Sequence, residues 1–143
     1  MNRDLQNAFE KEIALAAGYY TASDLGRSFY HLERAHILGQ RFYFPHVRSH
    51  WWMLKIGWKR SDRRELLGQI MRILASLGSL LGWVPEGNTG GANVSALTPM
   101  PIPEDLAVLL EKEQAPSFWR ATVSFSGFLA GILAVLVLVR ELI

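Results

Sequence analysis

Residues 62–81 read DRRELLGQIMRILASLGSLL. Leu66, Leu67, Ile70, Ile73, Leu74, Leu77 and Leu81 recur at helical spacing and oppose Gln69, Arg72, Ser76 and Ser79, so the stretch is an amphipathic helix. Asp62 and Glu65 give its start the Asp-x-x-Glu spacing of a capping box. Its apolar face belongs either in the domain core or at a membrane interface, and the core is the expected place. Upstream, Val47, Trp51, Leu54 and Trp58 form the stripe of a preceding helix, with Pro45 in its first turn. Before that, Leu25, Phe29, Leu32 and His36 mark a helix closed by Gly39, and Leu5, Phe9, Ile13 and Ala16 mark another. Gly18 and the polar residues 21–24 separate those two. The four starts, near Asp4, Ser23, Pro45 and Asp62, pair into two helical hairpins repeating at about 40 residues. With no competing strand pattern, the fold class is all-α, either a four-helix arrangement or a stack of the tetratricopeptide or HEAT kind.

The 143 residues, 50% apolar and 20% charged, suffice for one compact domain and exclude a disordered chain. The absence of cysteine excludes disulfides, thiolate metal sites, cysteine nucleophiles and iron–sulfur clusters. Asp4, Glu10, Lys11 and Glu12 interrupt any apolar run near the start, so an export signal is not expected and the N-terminal domain is placed in the cytoplasm.

The basic surplus is local. Residues 41–64 carry Arg41, Arg48, Lys55, Lys59, Arg60, Arg63 and Arg64 against Asp62 alone, interleaved with Trp51, Trp52 and Trp58. Cations attract anionic headgroups and tryptophan favours the interfacial zone, so Arg48, Lys55, Trp58, Lys59 and Arg60 read as a membrane-facing surface. The plainer reading is a solvated helix face. No nucleic-acid motif accompanies the charge, and nucleic acid is not an expected partner.

Residues 121–139 are nineteen in a row without a charge, bracketed by Arg120 and by Arg140 with Glu141. At about 1.5 Å per residue they match a bilayer core of about 30 Å and predict a C-terminal transmembrane helix, a tail anchor. Gly127 and Gly131 form Gly-x-x-x-Gly, a spacing for helix packing, through which the anchor would dimerise or dock to another membrane protein. The competing reading is a helix buried in an oligomer.

Residues 85–103, PEGNTGGANVSALTPMPIP, break the helical pattern with four prolines and three glycines. Gly87, Asn88, Thr89, Gly90, Gly91 and Asn93 read either as a ligand or partner loop, whose backbone amides approach an anion, or as a connector. The run is neither a Walker A loop nor a dinucleotide fingerprint. A short helix then starts at Pro103 with Glu104 and Asp105. The expected organisation is a helical domain over 1–84, the loop over 85–103, a short helix and linker over 104–116, and the anchor over 117–143.

HLERAHILGQRFYFPHVRSHWWMLKIGW at 31–58, followed by WVPEGNTGGANVSALTPMPIP at 83–103, resembles a bacterial family of small proteins, the domain of unknown function 3703. GNTGGANVSA is its most specific part. The resemblance implies no activity, cofactor or catalytic residue. In the bacterial setting it implies, the predicted anchor and the missing export signal place the chain at the inner membrane, and a loose association of such proteins with cation transporters makes an integral membrane protein of that kind an expected partner.

All four histidines fall within residues 31–50. Glu33 and His36 form Glu-x-x-His, while His46 and His50 form His-x-x-x-His, so each pair shares one helix face. If residues 39–45 turn between antiparallel helices, Glu33, His36, His46 and His50 converge into a candidate site for zinc or another divalent transition metal, cobalt and nickel included. The bland alternative makes His36 a hydrogen-bonded residue at the core edge, His46 a helix-start residue and Glu33 an arginine partner. No nucleophile elbow or other catalytic signature occurs, so no enzyme is expected. Two readings follow: a noncatalytic membrane-anchored accessory protein that presents its loop and basic helix to a partner, or a metal-binding accessory protein in transition-metal homeostasis.

Overall fold

The computed structural model describes residues 1–81 and 84–113, and these are helical with loops and no strand. Helix α1 spans Arg3–Thr21, α2 Leu25–Gly39, α3 Tyr43–Arg60 and α4 Arg63–Ala75, with a 3₁₀ turn Ser76–Leu81 and α5 Glu104–Glu111. The two predicted hairpins are present. Gly18 does not end α1, which runs on to Thr21. Asn2, Asp24 and Asp62 cap α1, α2 and α4 by accepting from the amides of Leu5, Arg27 and Glu65. The Asp62 cap is half of the expected box, because the Glu65 carboxylate turns inward to Gln69 and Ala92 instead of back to Asp62.

Helices α1 to α4 each pack on the next, α5 packs back on α1 and α2, and α4 touches neither α1 nor α2 among the described residues. That contact order is an open stack rather than a closed bundle. The core joins Leu5, Phe9, Ile13 and Ala16 of α1 to Leu32, Ala35 and Leu38 of α2, Met53 and Ile56 of α3, and Leu106 and Leu110 of α5. Loop and α5 therefore belong to the same packed unit as residues 1–81.

Helix α4 contributes nothing to that core and overturns the expected burial of its apolar face. Its buried residues are Glu65 and Gln69, whereas Leu67, Ile70, Met71 and Leu74 are exposed. The cause is its neighbour. Between α2 and α4 lies the 84–103 loop, whose backbone groups need partners once covered. Glu65 accepts from the Ala92 amide at 3.1 Å, Gln69 donates to the Gly90 carbonyl at 2.9 Å, and Arg72 donates to the carbonyls of Gly91 and Val94 at 2.9 and 2.6 Å. A polar face suits a loop where an apolar one would strand those groups.

No helix among the described residues is long and apolar enough to cross a membrane. The predicted span at 121–139, with Gly127 and Gly131, lies outside the described residues.

Candidate metal centre

Only residues 40–42 separate α2 from α3, so His36 near the end of α2 faces His46 and His50 on the first turns of α3. Gly39 permits the approach: a Cβ there would stand 2.9 Å from both the Phe9 ring and Pro45. The three imidazoles are buried, with ring centroids 4.6 to 4.8 Å apart. One candidate ligand atom from each falls within 4.8 Å of the others. An ion held at about 2.0–2.1 Å by tetrahedral ligands sets nitrogens about 3.3 Å apart, so the widest pair must close by about 1.5 Å on binding.

Their proton positions follow from their partners. His36 Nδ1 lies 2.8 Å from the Asn88 carbonyl, which can only accept, so Nδ1 carries the hydrogen and Nε2 the lone pair. His50 Nδ1 lies 2.7 Å from Gln69 Oε1. The Gln69 amide nitrogen donates to Glu65 at 2.6 Å and to the Gly90 carbonyl, which leaves its oxygen to accept from His50. His50 Nε2 therefore also carries a lone pair. His36 Nε2 and His46 Nδ1 are buried with no hydrogen-bond partner among the described residues.

All three rings are held neutral. Burial first, and then the neighbouring His50 and His46, push His36 well below the usual imidazole range. Burial, with the Arg72 charge added, lowers His46 to about 4, and burial with His46 beside it lowers His50 to about 3. Neutral imidazoles with free lone pairs are the ligand form.

One wall of the group opens into a cavity of ≈ 250 Å³ lined by His36, His46, His50, Arg72, Asn88 and Leu97. Burial lowers the Arg72 pKa, and the nearby Glu65 charge opposes that shift.

Of the four residues predicted as ligands, the structure gathers His36, His46 and His50; Glu33 stands outside the group. It is half-buried, its pKa raised by burial and lowered in part by the Thr89 hydroxyl. Gln69, Glu65 and the Asn88 carbonyl, which orient the rings, carried no sequence signal beyond the capping spacing of Glu65. His31 instead joins Glu12 at 2.7 Å, beside Arg34.

The loop run Gly87, Asn88, Thr89, Gly90, Gly91 and Asn93 folds inward, and only Asn93 is exposed. The Asn88 side chain is used internally, donating to the carbonyls of Ser95 and Thr98 and accepting from the Gly90 amide. Gly90, at φ +83, lies against the His36 ring, where a Cβ would come within 2.7 Å of Cδ2. Among the proposed membrane-facing residues, Arg48 pairs with Glu10 at 2.6 Å, Lys55 lies 3.8 Å over the Trp52 ring, Lys59 donates to the Tyr20 carbonyl, and Arg60 sits over Phe29. Trp58 is exposed.

The family model described as protein of unknown function (DUF3703) matches residues 3–110. No curated protein and no solved structure matches the chain.

Proposed function

The chain belongs to the DUF3703 family, and from the geometry of its centre we propose that it binds one divalent first-row transition ion, zinc foremost, through His36, His46 and His50. Two hydrogen bonds carry the reading: those from His36 Nδ1 to Asn88 and from His50 Nδ1 to Gln69, which turn the Nε2 lone pairs free. Glu65 behind Gln69 extends the second bond into a carboxylate–amide–imidazole chain. Three nitrogen ligands leave a fourth position for water or a small ligand from the cavity, as in open rather than closed zinc sites. The Arg72 charge opposes a dication, the neighbouring Glu65 carboxylate offsets it, and together Arg72 and the ion favour an anionic fourth ligand.

This reading makes the protein a metal-binding accessory protein in transition-metal homeostasis. The membrane-anchored accessory reading rests on residues 121–139, which lie outside the described residues, and what supports the metal reading is the geometry of the three imidazoles. Calorimetric titration of the full chain with zinc tests it. One ion per chain is expected, with affinity falling at least about 100-fold in a His46→Ala, His50→Ala variant that keeps its far-ultraviolet circular dichroism. Equal affinity in that variant, or no binding by the parent chain, contradicts the proposal.

A further inference from the structure

The apolar face that α4 turns outward is continued by α3. Measured round α3 at about 100° per residue, Trp51 and Trp58 stand about 100° and 80° from His50, on the side away from buried Ile56 and Ser49 and from Arg60, which lies over Phe29 of α2. On α4, Ile70, Leu74 and Leu67 stand about 100° to 160° from Gln69, away from Gly68 and Arg72, which meet the loop at Ala92 and Gly91. Loop and α2 thus lie on one side of the α3–α4 hairpin, and the exposed apolar residues on the other. Trp58 is 77% exposed, Leu67 67%, Met71 64% and Leu74 61%.

Cations edge this face at the hairpin turn. Arg63 and Arg64, at the start of α4, form no ion pair among the described residues, and Lys55, over the Trp52 ring, borders Trp51 and Trp58; Lys59 and Arg60 turn instead to Tyr20 and Phe29. The one carboxylate in that stretch, Asp62, accepts from the Glu65 amide as the α4 cap. A second copy meeting this face symmetrically would bring like charges together. Nucleic acid has no use for a leucine and methionine surface. The uncharged 121–139 segment offers the cations nothing.

We propose that the outward face of the α3–α4 hairpin docks on an anionic bilayer, its leucine, methionine and tryptophan side chains at the acyl–headgroup boundary and its cations among the headgroups. Docking of this face is distinct from any crossing of the membrane and independent of metal binding.

The full chain has no cysteine, so a single polarity-sensitive fluorophore can be placed at Met71→Cys, with Val108→Cys, an exposed position of α5, as comparison. With phosphatidylcholine vesicles containing about 30% phosphatidylserine, the label at 71 shifts to the blue and is quenched by a lipid-borne quencher, while the label at 108 is not. Pure phosphatidylcholine leaves both labels unquenched. An Arg63→Glu, Arg64→Glu variant of unchanged circular dichroism needs at least about 10-fold more lipid for the same quenching. The proposal is overturned if the label at 71 stays unquenched on the anionic vesicles, if both labels respond alike, or if charge reversal changes nothing. A label at 71 already blue-shifted without vesicles also overturns it, because the face is then covered by the chain's own C-terminal segment or by a second copy.

Discussion

The two helical hairpins solve the same problem in opposite senses. In α1 and α2 the stripes Leu5, Phe9, Ile13 and Leu32, Ala35, Leu38 meet each other and exclude water. In α3 His46 and His50 share the buried face with Met53 and Ile56, and in α4 the buried residues are Glu65 and Gln69, while Trp58, Leu67 and Leu74 look outward. The difference lies in what each helix packs against. A helix meeting another helix inside a core gains by burying hydrocarbon. A helix meeting a covered loop must satisfy that loop's amides and carbonyls, and a polar face does so.

The contrast can be broken at either end. Phe9→Ala should cost about 3–5 kcal/mol in chemical denaturation, since it empties a fully buried ring position. Gln69→Leu removes the shared partner of His50, Glu65 and the Gly90 carbonyl, and should cost about 2–4 kcal/mol although it makes the face more apolar. The same change should weaken zinc binding by about 10–100-fold, read by competition with a chelator. A Gln69→Leu chain as stable as the parent would mean that the second interior is not built on polar contacts.

Acid should affect the second hairpin selectively. His46 and His50 have folded-state values depressed from 6.5 to about 4 and about 3. Between those values and 6.5 the unfolded chain binds more protons than the folded one, so the stability they confer is present above about pH 6.5 and is lost as pH falls toward 4 and 3. Each group contributes a slope of up to about 1.4 kcal/mol per pH unit. Denaturation at a series of pH values should show that slope in the parent and a flatter one in a His46→Asn, His50→Asn variant. The smallest effect belongs outside: Leu74→Ala should change stability by less than about 0.5 kcal/mol, against several for Leu32→Ala inside the first hairpin. A loss at position 74 as large as at 32 would show that the outer face is packed.

Much of this was legible in the chain. The stripes of α1 and α2, the Asp62 cap and the short turn after Gly39 are local signals, and the short turn brings His36 toward His46 and His50. What periodicity cannot tell is which face of α4 points inward. Leu66 to Leu77 reads as a core stripe because the pattern is blind to the neighbour, and that neighbour is a loop some twenty residues downstream. For the same reason Gln69 and Arg72 read as solvent-facing, and Glu33 read as a ligand when Gln69 and Asn88 hold the rings instead. The glycines of the 87–91 run suggested either a loop whose amides approach an anion or a connector. Their use, as with Gly90 against His36, is visible only once the loop is folded down.

The most direct test is X-ray absorption at the zinc edge on the full chain loaded with one equivalent of zinc. The account predicts four-coordinate zinc at about 2.0 Å with outer-shell scattering from three imidazoles and one light oxygen or nitrogen ligand. A spectrum of oxygen ligands only, or one unchanged when His36, His46 and His50 are all replaced by alanine, would contradict it.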